Sequence, residues 1–373
     1  MSRQVKILIV VPSCVLLLSF FAWLYQSSHQ SLISTQPPQP YIPDAVAKEK
    51  IALWPARKGS RWGYINRAGE FAIQPQFEAA ARFKEGRAAV RIEGKIGYID
   101  KTGALIIQPQ FTNEFLNSYF QEGRAGFRDG IVFRPFRFFG ITPHKGFIDA
   151  TGKKVINARF RSAGEFREGL TWVVQQQLFP RRYKYGFIDR DGNQVIDYVF
   201  DEAREFSEGF APVRKDRRWF FINQSGHEVF GQSFEYVHSF SEGLAAAKIE
   251  GRYGFLDRTG KWTIRPFYDA VCNYSEGLCA IKVGRQWGYV NHEGREVIAP
   301  QFSLAGNFSE GLAPVQLEKK FGYIDKTGKI VIPLQFRTAE AFKDGVAYVT
   351  LLAEDRFRSA YIDSSGNVFW QED

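Results

Sequence analysis

The chain has 373 residues, a hydrophobic share of 45 % and a net charge of +9. There is ample apolar surface to bury, and three cysteines are too few for a disulfide framework. The basic excess favours anionic partners without specifying a fold. It is weak grounds for nucleic acid, because anionic lipid or polysaccharide attracts the same charge.

Ile7 to Tyr25 is an uncharged run of 19 residues, preceded by Arg3 and Lys6 and followed by no Lys or Arg until Lys48. That length can span a bilayer as a helix and exceeds the usual apolar core of a cleaved signal. The charge asymmetry keeps the N-terminus cytoplasmic. Residues 1–25 are therefore expected to be a signal anchor, a single transmembrane helix with the C-terminal bulk periplasmic or extracellular. Secretion after signal cleavage is the alternative. Residues 26–49, rich in Pro, Gln and Ser, read as an extended tether.

From residue 50 to 373 a short phrase returns nine times, first as Trp62-Gly63-Tyr64-Ile65-Asn66-Arg67-Ala68-Gly69. Between Gly186 and Gly322 the step is 34 residues each time. A fixed period of this size signals a repeat architecture. Each phrase holds an Asp or Asn (Asn66, Asp100, Asp257, Asp325) and a Gly three residues later (Gly69, Gly103, Gly260, Gly328). Asx bonding to turn amides, with Gly in the left-handed region, closes a tight hairpin. Eight residues past that Gly stands an aromatic such as Phe111, Phe200 or Phe302. An aromatic-x-acid-Gly segment follows, as in Phe308-Ser309-Glu310-Gly311, and leads into a small-apolar strand.

The expected fold is all-β: an open, solenoid-like array of about nine three-stranded β-meanders. One meander cannot cover its own apolar face and needs neighbours. A closed, propeller-like toroid is the alternative, although propellers typically hold four to eight four-stranded blades.

The phrase, with Ala299-Pro300-Gln301-Phe302 and Phe308-Ser309-Glu310-Gly311-Leu312-Ala313 after it, resembles the WG-repeat (KWG-repeat) family. The similarity runs from about Ile51 to Trp370, with departures at Ile96, Lys145 and Phe321 in the Trp column and Phe220 in the Gly column. The resemblance implies an exported or envelope protein and carries over no catalytic residue.

No enzyme signature, cofactor motif or metal-ligand spacing stands out. The recurring acids Glu85, Glu168, Glu208, Glu242, Glu276, Glu310 and Asp344 each precede a Gly singly. Calcium needs several converging oxygens, so these acids read as turn caps. Cys272 and Cys279 fit either a disulfide or two small buried hydrophobes.

The array breaks its period twice. The step grows to 49 between Gly97 and Gly146 and to 40 between Gly146 and Gly186. The insertions, near residues 128–145 and 175–184, lengthen the same hairpin connection in successive units. Per-repeat insertions often map to a binding face. Their interleaved cationic and aromatic residues make Arg134, Phe136, Arg137, Arg181, Arg182 and Lys184 the candidate binding residues. The functional expectation is a membrane-tethered scaffold for a protein or an anionic envelope polymer, without catalysis. A glycan-binding or glycan-active envelope protein is the alternative.

Overall fold

The computed structural model describes residues 52–112, 119–129, 144–177, 182–352 and 357–372. The anchor and tether expected over residues 1–49 lie outside them. Every regular element in the described residues is a β-strand, and no helix there is long and apolar enough to cross a membrane.

A typical unit is the seventh, whose strands are Ala270–Val271, Cys279–Val283, Gln286–Val290 and Glu296–Phe302, hydrogen-bonded in that order. The sequence reading of three strands thus falls one short. The missing strand is only two residues long, too brief to show a period, and it pairs with the small-apolar strand through Ala270↔Lys282 and Val271↔Ile281.

The Gly of the phrase has a steric cause. Along Gln286–Val290 the partner steps from Phe302 opposite Trp287 to Ile298 opposite Tyr289, so a bulge presses the two backbones together at Gly288. A Cβ at Gly288 would lie 2.4 Å from the Ile298 carbonyl oxygen and 2.6 Å from the Pro300 nitrogen. In the fifth unit Phe220 takes this place, and the facing strand gives way. Its partner steps from Phe234 opposite Trp219 to Val229 opposite Phe221, one residue more. Phe230 and Gly231 absorb the excess with φ of 70° and 58°.

The core lies between units. One cluster joins Tyr289, Ile298 and Phe302 of the seventh unit to Phe308, Ala313 and Val315 of the eighth. The small side chains of each first long strand let the next sheet approach. In most units the hairpin Gly seats against an Ile of the unit before, as Gly328 does on Ile298 and Gly294 on Ile264, while Gly260 meets Phe230.

The same kind of junction joins the last unit to the first. Trp54, Ala56 and Ile65 share a buried cluster with Val346 and Tyr361. Gly69 abuts the Phe369 carbonyl, and Arg57 pairs with Glu372. The eighth and ninth units share one seven-stranded sheet, the other sheets stay separate among the described residues and no continuous barrel forms, but the row meets its own beginning. Contact between first and last units corrects the expectation of an open array in favour of the toroidal alternative. Nine short units can fan this far because every junction uses the same faces.

Candidate interaction surface

The hairpin turns are built as their residues suggest. Asp257 Oδ1 accepts from the amides of Thr259 at 2.8 Å and Lys261 at 3.1 Å, and from the Thr259 hydroxyl at 2.6 Å. Asn66 Oδ1 does the same for the amides of Ala68 and Glu70. These side chains are spent within the turn.

The acids before Gly, read from sequence as caps of their own turns, reach the following turn instead. Each acidic residue of this column sits in the left-handed region, with φ from 49° at Glu85 to 57° at Asp344. That conformation turns successive amides outward into a small concavity suited to an anion. The carboxylate that fills it comes from the preceding unit. The amides of Gly123, Gly169, Gly209, Gly243, Gly277, Gly311 and Gly345 donate to Glu85, Glu122, Glu168, Glu208, Glu242, Glu276 and Glu310 at 2.8–3.0 Å. Glu122, in Phe120-Gln121-Glu122-Gly123, also belongs to this column, although the sequence reading passed over it. Serine hydroxyls add a parallel row: Ser207, Ser241, Ser275 and Ser309 donate to the carbonyls of Phe240, Tyr274, Phe308 and Phe342.

Glu276 also meets the Lys326 ammonium at 3.2 Å. Burial alone raises its carboxyl pKa. The Gly311 amide, Lys326 and the Glu310 amide outweigh that and leave it below the ordinary range. Among the described residues no three His, Cys, Asp or Glu side chains are grouped to hold a metal ion. Cys272 and Cys279 are both free thiols. Cys279 is buried and its Sγ donates to the Cys272 carbonyl at 3.3 Å.

Of the six candidate binding residues, Arg134, Phe136, Arg137 and Arg181 lie outside the described residues. The flanks are clear. Ala125–Asp129 pairs with His144–Ile148, and Leu170–Gln177 with Arg182–Asp189, so both insertions do lengthen the same hairpin of successive units. In the fourth unit the ladder continues outward through Gln175↔Lys184, Gln176↔Tyr183 and Gln177↔Arg182. Arg182 is exposed at its tip. Lys184 instead bonds Asp201 at 2.6 Å with its side chain only 15 % exposed, so it braces the sheet. Tyr183 is 39 % exposed, with the Arg161 guanidinium 4.3 Å from its ring centre.

A family model described as "WG containing repeat" matches eight segments: residues 62–95, 96–130, 146–178, 185–219, 219–253, 253–285, 287–321 and 321–351. No curated protein matches the chain in sequence. Among solved structures, a eukaryotic initiation factor is similar at TM-score 0.61 and 13 % identity, over 87 % of this chain and 96 % of that one. Hsv2 of Kluyveromyces lactis aligns at TM-score 0.39 and 10 % identity, over 67 % of this chain and 94 % of that one. The first likeness speaks for the fold alone, and the second is too slight to carry an argument.

Proposed function

Because the chain belongs to the WG-containing-repeat family, we propose that it works as a scaffold, holding a partner protein or an anionic envelope polymer against a rigid β-repeat ring. The observation that carries this reading is where the recurring polar residues go. The Asx and Glu columns are spent inside turns and between units, which leaves the departures from the repeat as the places for recognition. The extended hairpins of the third and fourth units are such departures, and their arginines suit carboxylate, phosphate or sulfate groups. Catalysis has no part in this proposal. The uncharged run Ile7 to Tyr25 supports tethering to a membrane with the ring on the exported side.

Two experiments test the proposal. Capture of partners by crosslinking from native membranes should be lost when Arg134, Arg137, Arg181 and Arg182 are all changed to Glu, and unchanged recovery refutes the hairpin site. Alkaline phosphatase fused after Ser34 should be active, and an inactive fusion refutes export.

A glycan-facing role draws support from one feature, the exposed Tyr183 ring backed by Arg161, a platform on which a sugar can stack. Turnover of envelope polysaccharide by the purified chain would replace the scaffold reading.

A further inference from the structure

The residue before each loop aromatic changes from unit to unit while the aromatic stays. It is Tyr119 in the third unit, then Glu165, Glu205, Ser239 and Asn273 in the fourth to the seventh. A cavity of about 430 Å³ runs along these four and is lined by all of them and by Arg167. Its volume lies within the roughly 300–1,000 Å³ of ordinary small-molecule sites. The short Ser239 side chain leaves the room, which a tyrosine in that column would take up.

Contacts behind the lining hold it in place. The Trp172 indole donates to Glu205 Oε1 at 3.0 Å, and the Lys84 ammonium meets Glu165 Oε2 at 3.2 Å. Ser207 and Ser241 donate their hydroxyls to the carbonyls of Phe240 and Tyr274, both at 2.8 Å. His238 Nδ1 lies 2.8 Å from Asn273 Oδ1, and burial holds that imidazole below its ordinary pKa. A neutral ring thus grips the carboxamide by its oxygen. The second oxygens of Glu165 and Glu205, the Asn273 amide nitrogen, the Ser239 hydroxyl and the Arg167 guanidinium have no protein partner among the described residues. They amount to two acceptors, two donors and a hydroxyl that is both. Charge cancels across the set, two carboxylates against Lys84 and Arg167. An anion entering here meets Glu165 and Glu205, and a cation meets Arg167. Groups that each donate and accept, the hydroxyls of a sugar ring, satisfy every one of them.

We propose that this cavity binds an uncharged sugar, with Glu165 and Glu205 accepting from its hydroxyls and Arg167, Ser239 and Asn273 donating to its oxygens. The site is separate from the extended hairpins. Arg167 bridges to Leu170, where the strand Leu170–Gln177 begins, and the hairpin tip lies past Gln177 at the other end, about 20 Å away. Neither the hairpin arginines nor Tyr183 takes part, so this inference stands or falls apart from the functional reading above.

The test uses the full chain in detergent on an array of neutral and sulfated oligosaccharides. Neutral glycans should retain the unaltered chain. Ser239→Tyr, which borrows the side chain of Tyr119 in the same column, should abolish that retention with unchanged circular dichroism. Glu205→Gln keeps an oxygen for Trp172 and should weaken retention about tenfold through loss of one charge-assisted hydrogen bond. Sulfated glycans report the hairpin arginines, and Ser239→Tyr should leave their retention unchanged. Full displacement by the matching methyl glycoside identifies a single sugar as the ligand, and resistance to it identifies a stretch of polymer; the site stands in both cases. Retention of no neutral glycan overturns the proposal, as does equal retention of Ser239→Tyr. Saturable binding of a free amino acid that Ser239→Tyr abolishes would assign the cavity to a zwitterion and overturn it too.

Discussion

The hydroxyl of Tyr361 donates to the carbonyl of Pro55 at 3.0 Å across 306 positions of chain. The bond is buried where the last sheet meets the first, and Trp54 packs on Tyr361 and Phe369 beside it. Tyr361→Phe should cost about 1 kcal/mol, the net worth of one internal hydrogen bond. Trp54→Ala, which empties the centre of the junction, should cost about 3–5 kcal/mol. Urea unfolding of the two variants measures the difference. Equal, negligible effects would mean that the junction does not hold in solution.

Two glycines separate steric from conformational demands. Gly311 has φ of 82° and open space where a Cβ would go, so Gly311→Ala should cost only the left-handed penalty of about 1–2 kcal/mol. Gly288 has no positive φ, but its Cβ would collide with the facing backbone. Gly288→Ala should therefore be the more damaging change, shown by a larger fall in thermal midpoint. The reverse order would contradict the bulge geometry.

Acid should loosen the turns. The Thr259 hydroxyl, with the amides of Lys261 and Thr259, holds the Asp257 carboxyl below its ordinary value near 3.8, and Asp325 is held likewise by Thr327 and Lys329. A depressed folded pKa contributes stability above the unfolded value that is lost as pH falls through the folded one. The thermal midpoint should thus decline below about pH 4. Asp257→Asn with Asp325→Asn should flatten that decline, because Asn already serves these turns at Asn66 and Asn223. An unchanged acid limb would count against the assignment.

Lys145 stands in the Trp column of the third unit, with its ammonium 2.8 Å from the Ala163 carbonyl. Burial, with Arg128 nearby, lowers its pKa from 10.5 to about 8. Here the folded state sheds its proton before the unfolded one does. Stability held back below pH 8 returns as pH rises from 8 towards 10.5. The thermal midpoint of Lys145→Met relative to the unaltered chain should be most favourable at pH 7 and should fall away by pH 10. A pH-independent difference would refute the shift.

How much of this was legible before the fold depends on how far apart the interacting groups lie. Asp257 and Gly260 meet across one turn, so their spacing alone announces the hairpin. The two-residue strand Ala270–Val271 is too short to carry a pattern. Glu276 reads as a cap for its own turn because its true partner, Gly311, lies one whole period onward. Lys184 looks like a free cation beside Tyr183, but its mate Asp201 stands on the far side of the sheet's next turn. Closure was least legible, because Pro55 and Tyr361 share no local signal at all.

The carboxylate contacts between turns all point the same way along the chain. From the second unit to the eighth each turn carries one carboxylate that accepts from the next turn, whose one or two amides donate to it, so the row of turns has a head and a tail like a directed polymer. A duplicated 34-residue period spliced between the sixth and seventh units would find both its donor and its acceptor waiting, and would orphan neither neighbour. Lengthening by whole periods is therefore chemically silent at the turns. The number of units is governed elsewhere, by how tightly the sheets fan before the ends can touch.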